Sequence, residues 1–339
     1  MITGIIWALV AGIMLGLYAL PKTYVVGYKD ENTWGLFFLL ALLVLPCIAG
    51  FSLINNFCDV LAAIPSESLG IMAIASILWG VGVQMWTKAI DYIGVSLGFS
   101  IFIGTVIMIG SLLPFFVDGL PETEALTYIA AGLSVILLGI IANGRAGILR
   151  TEAENSTANS GNEKKNKNMI KGIAIALVGG VLATGFSLAN AIGVGPITEA
   201  VVAQGNPTWM SSIAIMFIIY VVAAVYVLPF FAYQLTAQKA WGNFTAVSFF
   251  GKNFWLILTM AFFNFAASAA FAYAAFSLGD TGNTVGYAIY NTASVLLAVV
   301  GGIVAKEWIS APNKAKQYLY CALVSMIVGV VLIAMGNSI

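Results

Sequence analysis

The sequence predicts an all-α integral membrane protein of ten transmembrane helices, arranged as two inverted five-helix repeats. The composition, ten long apolar runs and a one-sided distribution of basic residues lead to this prediction. Of the 339 residues, 61% are hydrophobic and 8% are charged, and the mean hydropathy is +0.99. A soluble domain carries about 25% charged residues. Only a bilayer can shield this many apolar side chains from water.

Ten apolar runs are long enough to cross a membrane, which takes about 20 residues of helix. Residues 143–170, rich in Asn, Ser, Lys and Glu, separate the fifth run from the sixth and predict a flexible, solvated linker. The chain therefore divides into a first repeat over 1–142, this linker, and a second repeat over 171–339. The predicted spans are 2–20, 33–54, 69–88, 94–117, 124–142, 171–191, 208–234, 253–278, 283–305 and 316–336.

All 14 Lys and Arg residues fall in the odd-numbered loops, if the first residue of span six is counted with its loop. The even-numbered loops and both ends of the chain have none. The positive-inside rule therefore places the odd loops, including 143–170, in the cytoplasm and both termini outside. Lys88, at the inner end of span three with Asp91 one turn away, fits an orientation anchor better than a ligand.

Five spans per half is an odd number, so the second half must enter the membrane in the opposite sense to the first. GIIWALVAG at 4–12 resembles GIAIALVGG at 172–180. A weaker similarity relates AIDYIG at 89–94 to AAFSLG at 274–279. Inverted repeats are typical of secondary transporters, whose substrate site lies near the midplane where the halves meet.

The sequence argues against an enzyme and against a nucleic-acid-binding protein. It contains no histidine, which excludes Ser–His and Cys–His catalytic pairs, zincin motifs and His-ligated metals. GVSLG at 94–98 matches the serine-hydrolase pattern but lacks a His partner and lies in a predicted membrane helix. No phosphate-binding loop of ATP-driven transport is present. We predict no cofactor, no metal and, at zero net charge, no nucleic-acid partner.

Three stretches resemble the L-rhamnose–proton symporter family of the drug/metabolite transporter superfamily. They are GIIWALVAGIMLGLYALPKTY at 4–24, WGVGVQMWTKAIDYIGVSLGFSIFIGTVIMIGSLLPFF at 79–116 and GGIVAKEW at 301–308. The resemblance implies ten helices in inverted repeats and import of a sugar with protons across a bacterial inner membrane. A uniporter of another sugar, or an exporter or exchanger of small metabolites, stays open as the alternative.

A monosaccharide site needs amides and hydroxyls for hydrogen bonds and an aromatic ring for the apolar face of the sugar. Each buried hydrogen bond left unmade costs about 1–3 kcal/mol. Spans three, eight and nine supply such groups towards membrane depth, and Phe271 continues the face of span eight. The predicted substrate-binding residues are Trp79, Gln84, Asn264, Ser268, Tyr287, Tyr290 and Asn291.

Weaker candidates have simpler structural roles. Thr184 and Ser187 on span six can bond back to their own helix carbonyls, and membrane-helix hydroxyls often join helices. Trp86 and Tyr18 are predicted as aromatic belt residues at the inner interface. The glycines of 79–104 are predicted to allow close helix packing.

The path of a coupling proton is less defined, because no Asp or Glu falls in the middle of a span. An intramembrane carboxylate would be the usual carrier. Asp91 on the inner side and Asp280 on the outer side are candidates that can equally cap or orient helices. Glu199 is favoured, since its apolar stretch GPITEAVVAQGNP can fold back towards a cavity. The expected partners are a monosaccharide, a proton and the lipid bilayer.

Overall fold

The structure, a computed structural model, describes residues 2–156, 165–246, 250–279, 282–304 and 308–336. These residues are almost wholly helical, with a π-helical stretch at Leu40–Val44 that joins α2 to α3. The α-helices of the described chain are α1 Ile2–Leu17, α2 Asp30–Leu39, α3 Leu45–Leu53, α4 Phe57–Ala63, α5 Ser66–Leu112, α6 Phe115–Asp118, α7 Thr123–Ser156, α8 Lys165–Ala183, α9 Gly185–Ala203, α10 Ser211–Ala237, α11 Asn243–Ala246, α12 Phe250–Leu278, α13 Gly282–Val304 and α14 Asn313–Gly336.

The prediction of an α-helical membrane protein is confirmed. Within the described residues, nine helical stretches are long and apolar enough to cross a membrane, and a shorter apolar helix covers Ile101–Leu112. A bilayer offers no water to backbone N–H and C=O groups, so a spanning segment has to satisfy them internally, as a helix does. The apolar sequence pattern and the absence of water in a bilayer therefore both lead to membrane-spanning helices.

Helix α5 contains a reversal of the chain rather than a loop. It has 47 residues and would be about 70 Å long if straight, against about 30 Å of hydrocarbon core. The rings of Trp86 and Phe102 nevertheless lie 6.0 Å apart between centroids, although 16 residues of straight helix span about 24 Å. The chain therefore turns back between them. Helical geometry through the reversal, in place of the predicted loop, keeps backbone groups bonded in an apolar layer.

The stretch predicted as a flexible linker is helical where it is described. Helix α7 continues to Ser156 and α8 begins at Lys165. Ala, Arg and Glu are good helix formers, and the Arg150 guanidinium lies over the Trp308 ring, 5.3 Å from its centroid. This contact fastens the polar end of α7 to the segment before α14. The stretch GPITEAVVAQGNP is also helical in its first part, within α9.

Helix α1 packs against α12 and α13 through its glycines. A Cβ atom placed on Gly4 would lie 2.6 Å from Cγ of Leu278. One placed on Gly12 would lie 2.5 Å from the Ala293 side chain. Such distances are shorter than carbon–carbon contacts allow, so only glycine lets these helices approach so closely.

Helix α8 packs in the same way against α5. The parts of α5 before and after its reversal are here called the first and second arms. A Cβ on Gly172 would lie 2.5 Å from the side chain of Ile93, in the reversal. A Cβ on Gly180 would lie 2.7 Å from the side chain of Thr105, on the second arm. On the first arm, a Cβ on Gly82 would lie 2.5 Å from backbone atoms of α8. The predicted role of Gly82 in close packing is therefore visible as backbone contact.

Helices α7 and α14 form an antiparallel pair with reciprocal glycine contacts. A Cβ on Gly132 would lie 2.7 Å from the Gly329 carbonyl oxygen, and a Cβ on Gly329 would lie 2.7 Å from the Gly132 carbonyl oxygen. The last helix of the chain is thereby held against the helix that ends its first half.

Candidate functional site

A central cavity of about 650 Å³ lies among α1, α2, α5, α9, α10, α12 and α13. This volume falls in the range of small-molecule sites. Its deep end is lined by Asn264 and Ser268, which lie near the middle of α12, and by Tyr290 of α13. Its other end reaches Lys22 and Asp30 at the ends of the helices. The cavity thus leads from mid-bilayer depth to one face of the protein.

A chain of hydrogen bonds runs along the deep wall. The hydroxyls of Tyr220 and Ser268 lie 2.6 Å apart, and the Tyr220 hydroxyl donates to Oδ1 of Asn264 at 3.1 Å. The Tyr290 hydroxyl lies 3.4 Å from the Ser268 oxygen. Asn264 uses its carbonyl oxygen here, and its amide nitrogen, which makes no hydrogen bond to a described residue, remains available as a donor. Three helices jointly orient this amide.

The polar wall continues along α13 towards the mouth. Asn291 donates from Nδ2 to the Tyr287 carbonyl oxygen at 3.0 Å. Ser294 donates from its hydroxyl to the Asn291 carbonyl oxygen at 2.7 Å. Tyr287, Asn291 and Ser294 all line the cavity. One face of α13 therefore presents amide and hydroxyl groups from the deep end outwards.

Aromatic rings form the remaining deep walls. The Trp79 ring lies 5.2 Å from the Phe186 ring and 5.2 Å from the Tyr220 ring, between centroids. Phe271 is stacked on Tyr290 at 5.1 Å. Such contacts fix the orientation of the rings. The half-buried Trp79 ring provides an apolar surface facing the hydrogen-bonding wall.

Charge is confined to the mouth of the cavity. Nζ of Lys22 lies 2.9 Å from a carboxylate oxygen of Asp30 and 5.0 Å from the centre of the Trp34 ring. Lys22 and Asp30 are the charged residues among the described lining. The deep part of the cavity is therefore electrically neutral.

Beyond the deep end of the cavity, the described helices are held together by tight contacts. Asn190 donates from Nδ2 to Oδ1 of Asn283 at 2.6 Å, and Asn190 is fully buried. Ser187 donates to the Gly110 carbonyl oxygen at 2.6 Å, and Gly110 lies directly against the Tyr287 ring. Among the described residues, the cavity therefore opens at the end that carries Lys22 and Asp30.

The structure brings most of the predicted substrate-binding residues together. The residues that share the cavity lining are Trp79, Asn264, Ser268, Tyr287, Tyr290 and Asn291. Gln84 is buried but does not line the cavity. Phe271 supports Tyr290 from behind. Thr184 donates to the carbonyl oxygen of Val181 in the preceding turn, as the simpler interpretation expected.

Sequence reasoning missed three parts of the wall. Tyr18 and Trp86 were expected at the membrane interface, and both instead line the cavity. They do so because the reversal of α5 and the end of α1 turn these rings inwards. Tyr220 was not predicted at all, although it is 1% exposed and joins α10 to α12. The available signal was weak, because Tyr220 is one of two phenols in the apolar run IMFIIYVVAAVYV.

Of the three predicted proton carriers, Glu199 is the one whose side chain the structure describes. Glu199 is exposed on α9 and does not line the cavity. Asp91 falls in the reversal of α5, and Asp280 lies outside the described residues. Lys88 is exposed beside the reversal, which fits its predicted role as an anchor.

Apolar helices around a neutral, polar-walled cavity define a multi-pass membrane transport protein. The family model described as "L-rhamnose-proton symport protein" matches residues 1–338. The chain belongs to this family, as its resemblance predicted, and the family consists of transporters rather than enzymes.

Individual relatives agree with this membership. The chain is 23% identical to the L-rhamnose-proton symporter of Yersinia pestis bv. Antiqua (strain Antiqua), over 99% of this chain and 98% of that protein. It is also 23% identical to the symporter of Yersinia pseudotuberculosis serotype O:1b (strain IP 31758), with the same coverage. A solved structure titled "Crystal structure of protein" superposes with a TM-score of 0.61 at 14% identity, covering 98% of this chain and 96% of the other. That likeness concerns the fold alone.

Proposed function

We propose that the protein imports a monosaccharide, L-rhamnose or a closely related sugar, together with protons across a bacterial inner membrane. The observation that carries this proposal is the neutral deep end of the central cavity. It offers a free Asn264 amide, three linked hydroxyls and the Trp79 ring. A neutral polyhydroxylated ligand satisfies these groups, whereas a charged metabolite would lack a counter-charge there.

The arrangement suggests a role for each wall. The Asn264 amide and the Asn291 side chain would exchange hydrogen bonds with sugar hydroxyls. The Tyr220–Ser268 contact would hold Asn264 in place, and Trp79 would cover the apolar ring face. L-Rhamnose carries a methyl group in place of one hydroxyl, so a site with an aromatic wall fits it.

Helix contacts support the inverted repeat and transport by alternating access. With 4–12 aligned on 172–180, Gly4 corresponds to Gly172 and Gly12 to Gly180. With 89–94 aligned on 274–279, Ile93 corresponds to Leu278. Gly4 contacts Leu278, and Gly172 contacts Ile93.

The Gly4–Leu278 contact and the Gly172–Ile93 contact are therefore the same contact, with the halves exchanged. This symmetry supports a first repeat over 1–142 and a second over 171–339, with 143–170 connecting them. It also supports ten crossings, counting the two arms of α5 separately. Exchanging the conformations of two such repeats moves the opening from one membrane face to the other.

The distribution of basic residues gives the orientation. The mouth of the cavity lies at Lys22, in the first of the Lys- and Arg-bearing loops. The positive-inside rule places this loop in the cytoplasm and both termini outside. The structure then corresponds to the state that is open to the cytoplasm.

Asp30 is the carboxylate among the described lining residues of the cavity, with a side chain that is 76% exposed, and it is proposed as a further candidate to carry the coupling proton. Glu199, Asp91 and Asp280 stay as sequence predictions for the same role.

Uptake of labelled L-rhamnose by cells that express the chain tests the proposal. We expect uptake of the labelled sugar. Unlabelled near relatives of rhamnose should reduce it by competition, and a protonophore should abolish it. Uptake that resists the protonophore in energy-depleted cells would indicate a uniporter. Absence of uptake, with the protein present in the membrane, would contradict the proposed substrate and favour another sugar or an exported metabolite.

A further inference from the structure

A second concavity, here called the lateral groove, faces the membrane between α1, α3, α10 and α12. Its volume is about 740 Å³. Apolar side chains such as Leu45, Ile48, Phe262 and Ala269 form its walls. Phe265 separates it from the central cavity, with its ring packed edge-on against Tyr220 at 5.5 Å. The lateral groove is thus distinct from the proposed sugar site.

The polar side chains of the lateral groove lie at one end. Trp7 lies near the start of α1, Ser52 near the end of α3, Ser212 at the start of α10 and Tyr273 near the end of α12. Each is within about 9 Å of its helix end along the axis. Trp and Tyr concentrate at the level of lipid headgroups. This end therefore lies at the membrane interface, and the apolar walls extend from it into the hydrocarbon.

Ser212 supplies a hydroxyl without a partner at this polar end. Its side chain is 3% exposed, and its Oγ makes no hydrogen bond to any described residue. Serine in a helix often donates to the carbonyl four residues earlier. For Ser212 that carbonyl belongs to Thr208, and it already accepts from Ser211 at 2.7 Å. A buried, unpaired hydroxyl is unfavourable, so it points to an acceptor from outside the chain.

We infer that the lateral groove holds one phospholipid, whose glycerol ester carbonyl accepts the Ser212 hydrogen bond. One acyl chain then runs along the apolar walls towards Phe262. From Tyr273 to Phe262 is about 16 Å along α12, a depth that an acyl chain fills. The groove continues the lipid-facing surface, since Ile48 and Phe262 are both more than half exposed. A lipid has the same order of polar and apolar parts as the groove.

The charge distribution defines which part of the lipid is recognised. The groove lining among the described residues carries no charged side chain, and the Lys and Arg residues lie in the loops at the opposite ends of these helices. By the positive-inside rule the bound lipid belongs to the outer leaflet. Binding then depends on the ester and the acyl chain, so zwitterionic and anionic headgroups bind equally well.

Native mass spectrometry of the delipidated full-length chain tests this inference. Phosphatidylethanolamine and phosphatidylglycerol with identical acyl chains are added separately. We expect one retained lipid of either kind. Ser212→Ala should weaken retention about five-fold, the effect of one neutral hydrogen bond. Filling the groove with Ala266→Leu and Ala269→Leu should abolish retention. Ala130→Leu combined with Ala131→Leu, at two exposed alanines of α7, adds the same bulk elsewhere and should change nothing.

Several outcomes would overturn the inference. Equal retention by the wild type and the filled variant would show that the lipid binds elsewhere. A strong preference for phosphatidylglycerol would show that headgroup charge selects it. A dimer without bound lipid would make the groove an interface between copies of this chain. Thermal unfolding of each variant checks that it is folded, and because no sugar is involved, the result is independent of the proposed substrate.

Discussion

The hydroxyl of Tyr220 lies 2.6 Å from the hydroxyl of Ser268, and this contact ties α10 to α12 in the wall of the central cavity. The Tyr220 hydroxyl also donates to Asn264. One phenol thus orients the amide that is free to meet a ligand. A site built this way owes its geometry to two helices whose contacting residues are 48 positions apart.

Removing this phenolic hydroxyl tests its role. Tyr220→Phe should raise the concentration of half-maximal L-rhamnose uptake about five-fold, since about 1 kcal/mol of orienting hydrogen bond is lost. Tyr226→Phe is the matched control, because Tyr226 lies on the same helix, is 36% exposed and is outside the cavity lining. Equal effects of the two substitutions would show that Tyr220 does not organise the site.

Close packing of α5 on α8 depends on Gly82. A Cβ there would lie 2.5 Å from the Ala183 backbone nitrogen and 2.5 Å from the Gly179 carbonyl oxygen. Backbone atoms cannot move aside, so Gly82→Ala should destabilise the protein by about 1–3 kcal/mol. Gly70→Ala, on the same helix but facing open space, should leave the unfolding temperature in detergent unchanged. A similar loss in both variants would contradict the packing described.

The proposed orientation predicts which cysteine an impermeant reagent reaches. Cys58 is exposed on α4, between the second and third spans and therefore outside. A membrane-impermeant maleimide should label it in intact spheroplasts. Lys239→Cys, in a loop placed in the cytoplasm, should be labelled only after permeabilisation, in a background with Cys58→Ser. The opposite pattern would invert the topology and place the cavity mouth outside.

Asp30 at the cavity mouth is the proposed proton site. Asp30→Asn should abolish L-rhamnose accumulation driven by a pH gradient, while exchange of labelled for unlabelled sugar continues, since exchange needs no net proton movement. Glu31→Gln removes the neighbouring carboxylate, which does not line the cavity, and should keep accumulation. Accumulation that survives Asp30→Asn would leave the coupling role to Glu199, Asp91 or Asp280.

Composition and span length were sufficient to predict a helical membrane protein, because the bilayer imposes both. The shared lining of Asn264, Ser268 and Asn291 was predictable as well, since amides and hydroxyls at mid-depth are costly unless satisfied. Gln84 illustrates the limit. It follows Trp79 by five residues, about 140° around a helix of 3.6 residues per turn, so the two lie on different faces of the helix and Gln84 is outside the lining.

Other features depend on contacts that no local pattern contains. Tyr220 has no polar neighbour on its own helix, and its partners are 44 and 48 residues further along the chain. The inward position of Trp86 follows from the reversal of α5, which brings the Phe102 ring against it. Asp30 was not among the predicted residues, because only the assembled helices show that it lines the mouth.

The most direct test of the central claim is simultaneous measurement of labelled L-rhamnose and of internal pH in proteoliposomes that contain the purified chain. With a pH gradient imposed, acid outside, rhamnose should accumulate inside above its external concentration, and a rhamnose gradient alone should drive internal acidification. Asn264→Ala should reduce both signals together. Rhamnose that neither enters nor moves protons, in vesicles where the protein is folded and correctly inserted, would contradict the account.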